Sequence, residues 1–191
     1  MSKLRLALCA LWSALVLASA TNLSAADYAI DEAHTSLTFK ASHLGLSWTH
    51  GRFDEVTGNF EFDETGPEEA SFKLVAKIDS IDTNNKKRDE HLRSPDFFNA
   101  KQFPALTFVS KSVKAVKGGW EVTGDLTMHG VTKPVTFVLT GGKAAEFPKG
   151  TKRIGFSTDF KLKRSDFGMD KMLEAIGDEV HVSISFEGTS K

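Results

Sequence analysis

Most of this chain alternates between apolar and polar positions. Phe72, Leu74, Ala76 and Ile78 are interleaved with Lys73, Val75, Lys77 and Asp79. The same two-residue period recurs at Trp120, Val122, Leu126 and Met128, at Ile154, Phe156, Phe160 and Leu162, and at Val180, Val182, Ile184 and Phe186. Successive side chains of a strand point to opposite faces, so this period marks strands with one dry face and one wet face. The pattern predicts eight strands, over residues 34–43, 52–63, 70–81, 105–116, 119–128, 131–140, 152–164 and 179–188. Between them, Glu64-Thr65-Gly66-Pro67, Lys117-Gly118-Gly119, His129-Gly130 and Gly141-Gly142 suit chain reversals. Eight strands with mainly short connections predict an all-β chain, an eight-stranded antiparallel up-and-down barrel whose closure removes exposed edges.

One stretch breaks the rule. Residues 84–100 lack alternation, place Arg88, His91 and Leu92 on one helical face, and contain Ser94-Pro95, a pair that suits a helix start. The pattern predicts a helix and a second short turn between the third and fourth strands, with Leu92, Phe97 and Phe98 packed over one end of the barrel. A shorter helix is expected over Asp170 to Ile176, ended by Gly177.

An eight-stranded barrel is either just filled by its own side chains or just wide enough for one small ligand. The inward stripes here mix large rings with small residues, Ala41, Gly58, Ala76 and Gly124, which leave room for a slender apolar chain. Filled barrels also alternate small and large residues, so both outcomes stay open on pattern alone. The lining side chains this parity predicts are Leu37, Phe39, Phe60, Phe62, Leu74, Phe108, Leu126, Phe156, Phe160 and Ile184. Composition sharpens the picture: 15 Phe against one Tyr describes an interior rich in rings with few phenolic groups needing partners.

The N-terminus changes the compartment. Lys3 and Arg5 precede the apolar run Leu6 to Leu17, and small residues follow at Ala18-Ser19-Ala20 and Ser24-Ala25-Ala26. That is the pattern of a secretory signal peptide, with cleavage expected near Ala25 or Ala26 and Ala20 as the alternative. The division predicted is residues 1–25 as signal and 26–191 as one barrel domain, exported to the periplasm. The only cysteine, Cys9, leaves with the signal, so the exported chain has no disulfide and no thiol chemistry. What remains is slightly acidic and has no concentrated basic face, so nucleic acid is not an expected partner.

Candidate chemistry is sparse. His34, His43, His50, His91, His129 and His181 include no close pair at a recurrent zinc spacing, and no metal is expected. There is no GxSxG elbow, P-loop or dinucleotide fingerprint. Arg88, Asp89 and His91 invite an acid–base reading, but ion pairs or hydrogen bonds that hold a helix to the barrel explain them better. Asp159, Arg164 and Asp166 at a strand end read as a wet rim. His43 and Trp48, after the first strand, are candidates for a mouth where a polar head group meets an imidazole or indole; Trp48 equally suits a plug in the barrel end.

Several motifs together carry a resemblance. His43-Leu44-Gly45 with Ser47-Trp48, the run Thr83-Asn84 through Arg88-Asp89, His91-Leu92-Arg93-Ser94 with Asp96-Phe97, Gly124-Asp125-Leu126-Thr127, and Gly130-Val131-Thr132-Lys133-Pro134-Val135-Thr136 closely resemble the YceI family of polyisoprenoid-binding periplasmic proteins. The resemblance implies a lipocalin-like barrel around a long apolar tunnel that holds an isoprenoid chain of the quinone or quinone-precursor type. It implies a carrier or reservoir with no covalent cofactor and no catalytic residues. Beside it stand an enzyme acting on a lipid held in the tunnel and a protein presenting lipid to a membrane cytochrome or to the inner membrane. Self-association into a homodimer is left open.

Overall fold

In the computed structural model, which describes residues 26–190, the alternating segments become strands of a single closed sheet. The expected signal, residues 1–25, lies outside the described residues. Eleven hydrogen-bonded strands make eight staves, because three neighbouring staves are interrupted at one level. β1 (Ala26–Ile30) and β2 (Ser36–His43) form the first stave, split by a 3-10 turn at Glu32–His34. β3 (Ser47–Phe53) and β4 (Val56–Phe62) form the second. β5 (Ser71–Lys77) and β6 (Ile81–Asp82) form the third, split by a 3-10 turn at Ile78–Ser80. The remaining five are β7 (Ala105–Val116), β8 (Gly119–Met128), β9 (Val131–Glu146), β10 (Lys152–Lys163) and β11 (Ile176–Ser190).

Each stave pairs antiparallel with the next, the simplest meander. The ring closes where β11 pairs with β2, Val182 opposite Phe39, and with β1, Thr189 opposite Ala29. The broken corner is tied by backbone: Asp54 N–H donates to Ser80 O (3.1 Å), and Glu55 N–H to Ser80 Oγ (3.0 Å).

Four details depart from the sequence expectation. The first stave begins at Ala26, not at residue 34, and the second begins at Ser47, not at residue 52, so that residues 47–51 are a strand paired with β2 rather than a connection. Gly51 interrupts the apolar alternation there because the Phe39 ring occupies the space its side chain would need: a Cβ on Gly51 would lie 2.3 Å from that ring. Gly141-Gly142 is a bulge inside β9, not a reversal, and the chain turns only at 147–151. Gly142 has φ +88, and a Cβ on it would lie 2.8 Å from the Trp120 indole nitrogen, so the bulge makes room for that ring. Finally, the stretch expected as a helix over Asp170 to Ile176 is a turn over residues 171–175 that runs into β11 at Ile176. Arg164, described below, takes the carbonyls of Met169 and Lys171, which in a helix would have accepted from the N–H groups four residues on.

The one α-helix among the described residues, α1 (Lys86–Arg93), crosses the end of the barrel between β6 and β7. Asn85 caps it, its side chain accepting from Arg88 N–H (3.1 Å). Its last turn and the following Ser94–Ala100 segment deliver Leu92, Phe97 and Phe98 over the lumen, as expected.

Candidate functional site

The interior is divided along the barrel axis. At the end bearing the loops after β4, β7 and β9, rings fill it. Phe60 is fully buried and stacks on Tyr28 (5.1 Å between centroids) and Phe72 (5.5 Å), while Phe156 and Phe186 meet it edge-on at 5.7 and 5.6 Å. Phe62 packs edge-on to Phe156 (4.9 Å) and Trp120 (5.1 Å). Such offset and edge contacts are the favoured arrangements of aromatic quadrupoles. Toward the opposite end the rings give way to a cavity of about 610 Å³, within the range of pockets that take whole organic ligands.

Its floor is Phe72 and Phe186, and its walls are Leu37, Phe39, Leu74, Leu106, Phe108, Leu126, Val135, Phe137, Phe160, Val182 and Ile184. Polar groups gather toward the mouth: Ser42, His43, Thr83, Lys87, Arg88, His91 and Arg164. Every charged side chain in the lining is basic.

Of the residues singled out from sequence, Leu37, Phe39, His43, Leu74, Phe108, Leu126, Phe160 and Ile184 face this cavity. Phe60, Phe62 and Phe156 do not; they point inward as parity requires but lie in the filled end, where neighbouring rings leave no space. Parity fixes the face of a strand, not the height along the barrel. Trp48 is neither a lining residue nor a plug. It sits on the outer wall of β3, half exposed, with the His181 ring edge-on at 4.7 Å and Lys40 Nζ 4.8 Å from its ring centre. The small residues divide as well. Ala41 and Ala76 open onto the cavity, whereas Gly124 lies beneath the Phe108 ring, where a Cβ would come within 2.6 Å of it.

Sequence reasoning missed Phe53, Val135, Phe137, Met169 and Ile176. Val135 and Phe137 were available from the parity of β9, and Phe137 joins two predicted lining rings, Phe108 at 5.2 Å and Phe160 at 5.1 Å. Met169 comes from an irregular loop and left no periodic signal.

Two networks shape the mouth. Asp89, buried on α1, accepts from Thr83 N–H (2.9 Å) and from the Thr83 hydroxyl, and Arg88 donates to Thr83 Oγ1 (2.7 Å) and Thr83 O (2.6 Å). Arg88 and Asp89 thereby lock the helix to Thr83, the residue that follows β6, while His91 turns to Asp96. Across the mouth, Arg164 is buried and not on a wet rim. Its guanidinium donates to the carbonyls of Met169 (2.7 Å), Lys171 (2.9 Å), Ile176 (2.7 Å) and Gly177 (3.1 Å), gathering the 164–177 loop around itself. Burial pushes its pKa down, against the nearby Asp178, Asp170 and Glu174. Asp96 bridges the two networks, 2.9 Å from His91 Nε2 and 3.4 Å from Lys171 Nζ; its pKa is lowered chiefly by the His91 contact.

Away from the cavity, Asp31, His34 and Glu187 converge. The positive charge such a trio would attract is supplied by Arg153, which donates to Asp31 Oδ2 at 2.7 Å and Glu187 Oε2 at 3.3 Å. Arg153 first, and His34 second, hold the Asp31 carboxyl down from 3.8 to about 2.

Comparison with known proteins bears on this architecture. Residues 28–188 match the YceI-like domain. The chain belongs to the YceI family. Protein YceI of Escherichia coli O17:K52:H18 is 41% identical over 175 residues, covering 91% of this chain and 92% of that protein. A UPF0312 protein of Pseudomonas aeruginosa is 42% identical over 190 residues, covering 98% of each. Among solved structures, YceI of Campylobacter jejuni is 33% identical with a TM-score of 0.71, covering 78% of this chain and 90% of that one. Burkholderia cenocepacia BcnA is 26% identical with a TM-score of 0.73, covering 83% and 98%. A polyisoprenoid binding domain from Saccharophagus degradans shares the fold at 16% identity, with a TM-score of 0.66 over 87% of this chain and 99% of that one. The YceI architecture is thus the closed meander with its helix, and the cavity is what this member encloses.

Proposed function

We propose that this protein is a periplasmic binding protein that holds a long-chain isoprenoid lipid, of the quinone or quinone-precursor type, without turning it over. One observation carries the reading: the half of the barrel not filled by rings is an apolar cavity of about 610 Å³ with its polar groups at one end. Each methylene moved from water into such a space contributes about 0.8 kcal/mol, whereas a head-group hydrogen bond adds only about 0.5–1.5 kcal/mol. A tail of a few isoprene units therefore dominates affinity, reduced by the entropy lost on ordering it, and the basic mouth selects the head. In this reading Leu37, Phe39, Leu74, Phe108, Leu126, Phe160 and Ile184 grip the tail, and His43 meets the head.

Two further points support it. A domain of the same fold, from Saccharophagus degradans, is named for polyisoprenoid binding. The cluster best suited to acid–base work, Arg88 with Asp89, is spent on Thr83. Native mass spectrometry and solvent extraction of the purified protein are expected to release a long-chain prenyl lipid. A protein that emerges empty, and that takes up no prenyl chain when offered one in detergent, overturns the proposal.

A further inference from the structure

Nine large apolar side chains are exposed among the described residues, and five of them crowd one place. Leu46 (83% exposed) and Leu44 (55%) form the tip of the β2–β3 hairpin, Met172 and Leu173 the tip of the loop before β11, and Trp48 lies just below on the outer wall. The two tips are joined: Leu44 N–H donates to Ala175 O at 2.8 Å, and His43 pairs with Ile176. Both His43 and Met172 line the cavity, so the patch is the rim of its mouth. Clustered exposed apolar side chains mark an interaction surface, whereas single ones need no explanation.

The backbone makes the choice of residue more telling. Leu44 (φ 54) and Gly45 (φ 68) occupy the two central positions of a turn closed by Leu46 N–H to His43 O, and both need left-handed backbone. Asn-Gly is the pair such a turn prefers. Met172 (φ 58) is also left-handed. The other non-glycine residues in that region are Asn84, Asn99 and His129, types that tolerate it. At the two rim tips alone, bulky apolar residues occupy strained positions while facing water. Their burial gives nothing back to the fold, so the return lies elsewhere.

We propose that this rim docks on a phospholipid bilayer: the Leu44–Leu46 tip and the Met172–Leu173 tip enter the interfacial layer and set the cavity mouth against it. The inference rests on the cavity being a lipid site, and continuity with that mouth is what names the bilayer as the occupant. A tail that leaves a bilayer for the lumen through a seated mouth never crosses water. Trp48 and Lys40, on the outer wall below the tips, are the residue types that settle at headgroup level. Lys171 is held 3.4 Å from Asp96, and exposed Asp170 and Glu174 flank the second tip, so the apolar side chains and not the charge carry the docking. Two narrow tips are too small for a stable interface between copies, which needs about 800 Å² on each side.

The test is flotation of the purified protein with vesicles of phosphatidylethanolamine and phosphatidylglycerol, with cargo lipid extracted in parallel. The decisive variant is L44N/L46S, because Asn suits the left-handed position and the hairpin keeps or gains stability. Wild type is expected to float with vesicles, and a Trp120→Phe variant, in which Trp48 is the tryptophan left in residues 26–190, to show a blue-shifted emission on binding. The variant is expected to lose about tenfold or more in partitioning, as two leucines withdrawn from an apolar layer imply, while its cargo and thermal midpoint hold. Equal flotation of both proteins overturns the proposal. So does wild type that carries cargo but never floats, an outcome that leaves the cavity reading intact. Binding only to vesicles bearing membrane protein, or a dimer lost in the variant with no flotation, assigns the rim to a protein partner or to a second copy instead. Flotation by wild type that never carries or takes up a prenyl chain overturns the cavity reading on which the docking rests.

Discussion

The two ends of this barrel are built from the same strands with the same parity, yet one is solid and the other hollow. At the closed end five phenylalanines, Phe60, Phe62, Phe72, Phe156 and Phe186, together with Tyr28 and Trp120, meet ring against ring. At the open end Leu37, Leu74, Leu126, Val182 and Ile184 face one another across a gap. The difference lies in how the rings meet, since both ends carry them. At the closed end Phe156 of β10 touches Phe60 of β4 and Phe72 of β5 across the lumen, while at the open end Phe108, Phe137 and Phe160 touch one another along the wall of β7, β9 and β10 and leave the centre free. Polarity closes the sheet into a barrel, and contact across it decides which part stays empty.

Single substitutions can break or sharpen that contrast. The largest effect is expected from Phe60→Ala, which opens a hole among four contacting rings and should cost about 3–5 kcal/mol in denaturant unfolding. Phe160→Ala, one face of which already borders the cavity, should cost clearly less. Equal losses would mean that the open half is as tightly packed as the closed one.

Next comes Arg164→Leu, which leaves the carbonyls of Met169, Lys171, Ile176 and Gly177 without their shared donor. A loss of about 1–3 kcal/mol is expected, with faster amide exchange confined to residues 164–177 and the closed end unaffected. Uniform acceleration across the barrel would refute the separation of the two ends.

The smallest effect on stability, and the sharpest on function, is expected from Val182→Phe. A ring added to the open half fills space that is already vacant, so unfolding should shift by less than about 1 kcal/mol while extractable lipid falls steeply. Unchanged lipid content would show that the tail does not pass this level.

Much of this was legible in the chain. The two-residue period of Phe72 to Ile78 and of Val180 to Phe186 gave strands and their inner faces, and residues 84–100 announced a helix by dropping that period. These are local properties, since a side chain's face follows from its place in its own strand. Where the strand is irregular the reading failed. Gly51 hid β3 because its missing side chain is replaced by Phe39 from across the sheet, and Gly141-Gly142 passed for a turn when it is a bulge that admits Trp120.

The sequence by itself determined an all-β meander of eight staves, the identity of most inward residues, and the helix over one end. Only the tertiary structure decided that Phe60, Phe62 and Phe156 lie in the filled end and not in the cavity wall, that Trp48 faces outward, and that Arg164 is an interior post for the mouth loop. The reason is that height along the barrel, and the partner across it, depend on stagger between staves distant in sequence. The Arg164 carbonyl cage likewise exists only once the 169–177 loop has folded back on it. Alternation carries no record of either.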